Sequence, residues 1–298
     1  MKVAVIDVGG TFIKYACMNG DFEILSHGKV PTPMSGREEF LDTILDIYNS
    51  MPEAEGIALS LPGIINSMRG YCITSGNLKY NDNFYIISAL RKKCKNIKVS
   101  IENDAKCAAI AEMKLGSLKD VNDGFVMIFG TGIGSAFFKD RNIHYGRHFS
   151  SGEISFIITD KDGSINPSDI FGEQCSTRGL CTMYAEAKNI PVEEVDGERV
   201  FEAVNNGEKI AIKCLDTLTR RIAVQISNIQ MILDPERFAI GGGISAQPIF
   251  IEYIRKNLKK LNRKCKFKLP RAEVVVCEFQ NDANLIGALI CYLEKYEF

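Results

Sequence analysis

The feature that most constrains this chain is a repeat. Residues 2–7 (Lys2-Val3-Ala4-Val5-Ile6-Asp7) read as a strand that breaks into Val8-Gly9-Gly10-Thr11. A second strand over 13–18, an Asn19-Gly20 hairpin turn and a third strand over 23–30 follow. The same order returns later in the chain. A strand over 125–129 leads into Gly130-Thr131-Gly132-Ile133-Gly134, a second strand over 135–138 and the polar turn Asp140-Arg141-Asn142. Two halves built on one plan predict two similar α/β domains that face each other across a cleft, with both glycine loops pointing into it.

A chain of 298 residues is long enough for about two domains. The pattern places a smaller N-terminal α/β domain over 1–117, closed by the C-terminal segment 281–298, and a larger one over 118–280. No low-complexity linker divides them, so any hinge is expected at element ends. A hydrophobic content of 46% and a charged content of 24% suit a soluble domain with a true core. The net charge of −1 supplies no field to recruit nucleic acid or an anionic membrane, so neither is expected as a partner. The basic run 256–268 lies beside Leu258 and Leu261 and reads as a solvated helix face with its following loop. No apolar run approaches membrane-spanning length. Met1 leads within two residues into the first strand, so no signal peptide is expected. Ten scattered cysteines without a CxxC pair fit reduced core thiols and a cytoplasmic location.

Between the repeats, apolar residues at helical spacing predict a helix through Phe40, Leu41, Ile44, Leu45 and Tyr48. A buried strand over 56–61 ends in Pro62-Gly63, and a loop with Ser75-Gly76-Asn77 precedes a helix over 85–93. Further helices are expected over 178–188, 198–204, 208–233, 249–258 and 283–292, with strands over 237–240 and 274–276. An irregular stretch covers 159–170. The stripe Ile212, Leu215, Leu218, Ile222, Val224/Gln225, Ile229 and Ile232 reads as core or interface.

The stretch VSIENDAKCAAIAE (99–112) holds the polar centre of the chain. Val99-Ser100-Ile101 reads as the end of a buried strand, and 105–112 as helix. Glu102-Asn103-Asp104 lies between them as a junction. Two readings stand here: Asn103 or Asp104 caps the helix, or a carboxylate is poised at the mouth of a cleft to take a proton.

Glycine lets backbone N–H groups approach phosphate oxygens, and threonine hydroxyls add donors. Three glycine turns follow strands: Gly9-Gly10-Thr11, Gly130-Thr131-Gly132-Ile133-Gly134 and Gly241-Gly242-Gly243. Tight hairpins also need glycine, so one such turn says little; three point to a nucleotide cleft. None matches GxxxxGK[ST], and none is a GxGxxG opening a helix, because the loops are read as joining strand to strand.

Asp7-Val8-Gly9-Gly10-Thr11 resembles the DxGGT phosphate motif of the actin/hexokinase-like ATPases, whose domains are ribonuclease H-like. Gly130-Thr131-Gly132-Ile133-Gly134 is similar to their second phosphate motif, and Gly241-Gly242-Gly243-Ile244 to the adenosine motif. With Ser60-Leu61-Pro62-Gly63, Glu102-Asn103-Asp104-Ala105 and Gly152-Glu153-Ile154, the chain resembles the ROK family of sugar kinases and repressors from Val3 to about Leu293. The resemblance implies that Asp104 is the base that deprotonates a sugar hydroxyl as it attacks the γ-phosphate of ATP. It implies Asp7 near Mg²⁺, through water, with Gly9, Gly10, Thr11, Thr131, Gly132 and Gly134 at the phosphates and Gly242 and Gly243 against the nucleoside. Asn103, Asp104, Glu153 and Gly63 would meet the sugar. Lys14 is read either as reaching phosphate or as a solvated strand lysine.

The departures are as informative. The family's GEIGH reads Gly152-Glu153-Ile154-Ser155-Phe156 here, so Phe156 stands where a zinc- and sugar-binding histidine is usual. The CxCGxxGCxE block is absent; Cys175 and Cys181 stand alone, inside what reads as one helix. No zinc is therefore expected. Glu173-Gln174-Cys175-Ser176-Thr177 resembles the ExxAS that ends that block, so Glu173 would keep the sugar contact without metal. Phe156 reads either as core filler or as an aromatic wall for a second sugar ring, and the latter resembles the β-glucoside kinases. His144 and His148, four apart, fall in a loop with no convergent carboxylate or thiol.

The expected activity is ATP-dependent phosphorylation of a sugar hydroxyl, the 6-OH of a glucose ring, with β-glucosides such as cellobiose favoured and a homodimer as the assembly. Glucokinase, fructokinase or N-acetylmannosamine kinase activity is the alternative within the family. A sugar-sensing repressor would carry a helix-turn-helix ahead of the first glycine motif, and only six residues precede Asp7. A filament-forming ATPase would not need the sugar-side motifs.

Overall fold

The computed structural model describes residues 1–95, 97–159 and 166–297. Part of the expected irregular stretch, residues 160–165, lies outside the described residues. Two units emerge: 1–111 with 145–151 and 282–298, and 112–144 with 152–281. The expected division at 117/118 lies six residues beyond the observed one, and 145–151 groups with the first unit rather than the second.

The first unit is built on strands β1 (Lys2–Val8), β2 (Phe12–Asn19), β3 (Ile24–Pro31) and β4 (Gly56–Leu61). Between β3 and β4 runs helix α1 (Arg37–Asn49). Short strands β5 (Ile65–Asn66), β6 (Tyr71–Cys72) and β7 (Phe84–Tyr85) form a separate three-stranded sheet. Then come α2 (Ile86–Lys93), β8 (Lys98–Asn103) and α3 (Asp104–Lys114). The main sheet has the order β3-β2-β1-β4-β8, antiparallel through the hairpins and parallel from β1 to β8.

The second unit repeats that order. Strands β9 (Gly124–Phe129), β10 (Ile133–Lys139), β11 (Asn142–Ile143), β12 (Arg237–Gly241) and β13 (Val274–Val276) pair as β11-β10-β9-β12-β13. Again the hairpins are antiparallel and β9-β12-β13 parallel. Its helices are α4 (Phe171–Cys175), α5 (Thr177–Lys188), α6 (Gly197–Asn205), α7 (Lys209–Leu233) and α8 (Pro248–Lys264). The last helix, α9 (Ala283–Tyr296), belongs to the first unit.

Strand periodicity decides where polar side chains go. In β1, Ala4, Ile6 and Val8 join a core with Phe40, Leu41 and Ile44 of α1, and with Ile57, Leu59 and Leu61 of β4. The alternate positions Val3, Val5 and Asp7 point to the opposite face. On that face Asn284 of α9 reaches Asp7, and Tyr292 of α9 lies against Gly56. α9 also crosses α3 closely, since a Cβ on Gly287 would stand 1.9 Å from the Cys107 carbonyl oxygen.

Four expectations need correction. β8 runs through Glu102 to Asn103 and α3 begins directly at Asp104, so there is no three-residue junction. The strand outlasts its apolar residues because the side chains at its end find partners, described below. Cys175 ends α4 and Cys181 lies on α5, with Ser176 between as the cap that accepts from the Gly179 N–H. The third glycine turn does not join strand to strand: Gly243–Ala246 is a 3₁₀ turn leading to α8. In α7, Leu215, Leu218, Ile222, Gln225 and Ile229 are buried, but Val224, two residues round the helix from Ile222, lies on its outer face and Ile232 stands exposed in its last turn.

Candidate active site

In the first unit the parallel strands end in a polar row. Asp7, Ser60 and Glu102 are register neighbours on β1, β4 and β8 and share the face turned to α9. Ser60 Oγ donates to Asp7 Oδ1 at 2.7 Å and Asn284 Nδ2 to the same oxygen at 3.0 Å. Burial pushes the Asp7 carboxyl above the usual range, against the opposing pull of those two hydrogen bonds and of the Lys14 charge. Lys14 is the directly opposed cross-strand neighbour of Asp7 and is exposed.

Beside Asp7, the loop Gly9-Gly10-Thr11 is held tightly. The Gly9 N–H donates to the Phe12 carbonyl at 3.0 Å, Thr32 Oγ1 donates to the Gly9 carbonyl at 2.7 Å, and the Thr32 N–H to the Thr11 carbonyl at 3.0 Å. Gly10 and Thr11 remain exposed.

At the end of β8, Asn103 is buried and does three things. Its Oδ1 accepts the Lys106 N–H at 3.0 Å, which caps α3; its Nδ2 donates to the Gly63 carbonyl at 2.9 Å and to Asp104 Oδ1 at 2.8 Å. Asp104 Oδ1 also accepts the Ala105 N–H at 2.8 Å. The capping bond therefore belongs to Asn103, and Asp104 is held at the first position of the helix. Gly63 has φ +94°, and a Cβ there would sit 2.3 Å from the Thr74 carbonyl oxygen, so only glycine fits the turn that meets Asn103.

Beneath this pair lies Glu102, 2% exposed. Tyr145 Oη donates to its Oε2 at 2.7 Å and the Asn103 N–H to its Oε1 at 2.8 Å. Burial raises its carboxyl, with Tyr145, Asn103, Ser67 and the Lys106 charge pulling the other way. Lys106 is buried as well and donates to the Phe149 carbonyl at 3.2 Å.

In the second unit, the Gly130 N–H donates to the Gly132 carbonyl at 2.9 Å, which closes a tight loop carrying the exposed Thr131 and Gly132. Gly134 is the second residue of β10, after Ile133. β12 lies next to β9, so the turn Gly241-Gly242-Gly243 emerges beside that loop. Gly242 has φ +89°, and its Cβ would stand 2.2 Å from the Phe129 carbonyl oxygen. Ser135 Oγ donates to the Gly152 carbonyl and accepts the Ile154 N–H, fixing the turn that carries Glu153. Phe156 is 67% exposed and is not core filler. α4, which carries the exposed Glu173, packs on this turn: the Phe171 N–H donates to the Ile157 carbonyl at 2.8 Å, and Gly172 lies against Ser155.

All ten cysteines are free thiols. His144 stacks edge-on against Phe137. Among the described residues no group of three or more His, Cys, Asp or Glu side chains converges as a metal site, and no helix is long and apolar enough to cross a membrane. Sequence reasoning did not assign Asn284, Thr32, Tyr145 or Glu102. The first three are distant in sequence from what they hold, and Glu102 reads in the sequence as part of a polar junction and of the Glu102-Asn103-Asp104-Ala105 motif, with no role of its own.

Two five-stranded sheets of identical order, each with a glycine loop after its first strand, define the actin-like ATPase fold. The ROK family matches residues 3–295. The chain is 30% identical to the β-glucoside kinase of Klebsiella pneumoniae over 297 residues, covering 99% of this chain and 97% of that one. It superposes on a ROK family protein from Streptococcus pneumoniae, solved in complex with sucrose, with TM-score 0.88, 28% identity and 99% of each chain covered. It also matches the fold of a ROK glucokinase from Streptomyces griseus, solved with glucose and AMPPNP, with TM-score 0.84 at 22% identity, over 97% of this chain and 98% of that one. The chain belongs to the ROK family.

Proposed function

We propose that this protein, an ATP-dependent sugar kinase, transfers the γ-phosphoryl group to the 6-hydroxyl of a glucose ring, with β-glucosides such as cellobiose as its favoured acceptors. The observation that carries the reading is the division of labour at the start of α3. Asn103 Oδ1 caps the helix, and Asp104, at its first position, has its carboxylate oriented by the Asn103 amide and the Ala105 N–H, as a base must be.

In this reading Asp104 takes the proton of the sugar hydroxyl as its oxygen attacks the γ-phosphorus. The new bond is O6–P, the bond that breaks joins the γ-phosphorus to its bridging oxygen, and that electron pair leaves with ADP. Positioning and neutralisation of charge supply most of the catalysis in such transfers. Gly9, Gly10, Thr11, Thr131, Gly132 and Gly134 supply backbone and hydroxyl donors to phosphate, Lys14 a positive charge, and Gly242 and Gly243 a flat backbone for the nucleoside. Gly63, Asn103, Glu153 and Glu173 bind sugar hydroxyls, and Phe156 offers its exposed ring to the C–H face of a second sugar.

Asp7 fits a role beside Mg²⁺. It is a hard oxygen donor, both of its hydrogen bonds fall on Oδ1, and the burial that raises its carboxyl is the kind of cost a nearby cation offsets. Bound there through water, Mg²⁺ would neutralise phosphate charge. Zinc has no part in the reading, since phenylalanine cannot ligate a metal.

A coupled assay with glucose, N-acetylmannosamine, fructose and cellobiose tests it. ATP turnover should require added sugar, survive exhaustive chelation once Mg²⁺ is restored, and run faster on cellobiose than on N-acetylmannosamine. Turnover without sugar would refute the kinase; preference for a free monosaccharide would refute the β-glucoside assignment.

A further inference from the structure

The turn Ser75-Gly76-Asn77-Leu78 presents a side chain that the mechanism above does not use. The turn closes through the Leu78 N–H, which donates to the Ser75 carbonyl at 3.0 Å, with Gly76 at φ +59°. Both ends are anchored. Ser75 is buried, its N–H and Oγ donate to Asp82 Oδ1 at 2.8 and 2.7 Å, and Leu78 is fully packed away. Between these anchors Gly76 and Asn77 stand exposed. Among the described residues the Asn77 amide has no hydrogen-bond partner, so the rigid turn is not held for the sake of a bond Asn77 makes within the protein.

The surroundings of the amide are specific. Asn77 Nδ2 comes within 3.8 Å of where a Cβ on Gly10 would stand, so it lies over the backbone of the first glycine loop. The preceding residues of the same segment close on Gly63, whose Cβ position falls 2.3 Å from the Thr74 carbonyl oxygen and 2.8 Å from Ser75 Cα. The Gly63 carbonyl in turn holds Asn103, which holds Asp104. Asn77 thus belongs to a segment that borders both the phosphate loop and the group carrying the base. A primary amide brings two N–H donors and no charge. In phosphoryl transfer the charge develops on the three equatorial oxygens of the migrating group, where a preorganised donor acts most strongly.

We infer that Asn77 is a ligand of the transferred γ-phosphoryl group, donating from Nδ2 to one of its equatorial oxygens. This rests on the kinase reading and adds a residue to it. The clamp of Ser75 on Asp82 fixes the backbone that carries Asn77 before substrate arrives, so what remains to be ordered is one short side chain. Gly10 leaves the space a side chain would otherwise take between the amide and the loop.

The test compares Asn77→Ala and Asn77→Asp with the wild type in three measurements: kcat with the best sugar, affinity for a non-hydrolysable ATP analogue and for ADP, and thermal melting. Alanine should lower kcat by about 10²-fold, the effect of removing one preorganised donor. It should weaken the analogue but leave ADP, which lacks the γ-phosphate, unchanged. Aspartate, the same size but an anion facing an anion, should be worse than alanine in both kcat and analogue binding. Melting should stay near wild type, because Asn77 is exposed and makes no hydrogen bond among the described residues. A kcat for Asn77→Ala within about threefold of wild type, equal weakening of ADP and analogue, or an aspartate no worse than alanine would overturn the assignment. Should the wild type bind the analogue with this pattern but phosphorylate no sugar, the kinase reading would fall and the γ-phosphate ligand would stand.

Discussion

Asn103 Nδ2 donates to Asp104 Oδ1 across 2.8 Å, and the two residues share one strand-to-helix boundary without sharing a task. Asn103 Oδ1 satisfies the orphan Lys106 N–H of the first turn, and the same side chain ties the boundary to Gly63. Asp104 is left with its carboxylate oriented by Asn103 and by the Ala105 N–H. Asn103 Oδ1 takes the capping bond to Lys106, while Asp104 Oδ1 accepts from the adjacent Ala105 N–H.

Asp7→Asn separates charge from geometry. Both donors of Asp7 fall on Oδ1, so an asparagine carbonyl can accept them unchanged. The Asp7 carboxyl is raised in the folded state by burial. A raised acid holds its proton in the folded state after the unfolded chain has lost it, so its contribution to stability is lost as pH rises through the folded value. The variant should therefore melt at or above wild type at pH 7, with the gap closing as pH falls below the ordinary aspartate value of about 3.9. Its sugar-kinase activity should fall steeply. Thermal melts from pH 3 to 7 check the sign, and a variant less stable than wild type at pH 7 contradicts it.

Tyr145→Phe removes the phenol that donates to buried Glu102. A hydrogen bond to a charged group is worth about 1.5–3 kcal/mol, and Glu102 would keep only its remaining partners. Its carboxyl should rise further, so the loss of stability should be small in acid and grow toward neutral pH. A pH-independent loss would mean that Tyr145 acts through packing alone.

Much of this was legible in the sequence because it is local. Asn19-Gly20 marks one hairpin, although its connection runs over 20–23 with Phe22 rather than Gly20 at positive φ; the Gly/Thr loops mark where strands end, and the repeat foretells two sheets of one order. What was not legible comes from afar or against propensity. Asn284 lies 277 residues from Asp7, Tyr145 lies 43 from Glu102, and no spacing rule links such pairs. Glu and Asn are poor strand residues, so Glu102 and Asn103 read as a junction; tertiary partners keep them in β8. Either Asx residue satisfies the capping rule by position alone, and only the distant Gly63 together with Lys106 selects Asn103.

Gly242→Ala should damage the second unit. At φ +89° and with a Cβ only 2.2 Å from the Phe129 carbonyl oxygen, any side chain is both strained and overpacked. Each effect alone costs about 1–3 kcal/mol. Melting should drop by several degrees and nucleotide affinity should fall; a melting point at the wild-type value would contradict the close approach of Gly242 to β9.

Phe156→Ala should leave stability alone, because the ring is 67% exposed and fills no core. If its face holds the second sugar ring, kcat/KM for cellobiose should fall more than that for glucose, at constant kcat for glucose. Equal losses on both acceptors would remove the aromatic wall from the account.

The most direct measurement is the turnover of Asp104→Asn. The amide keeps an oxygen where Asp104 Oδ1 accepts from Asn103 and Ala105, so the fold and the cap on α3 should be undisturbed. What is lost is the ability to take a proton, which for a general base lowers kcat by about 10²–10⁴-fold. The account predicts that loss with melting temperature and ATP affinity near wild type. Sugar phosphorylation within about threefold of wild type would show that Asp104 is not the base.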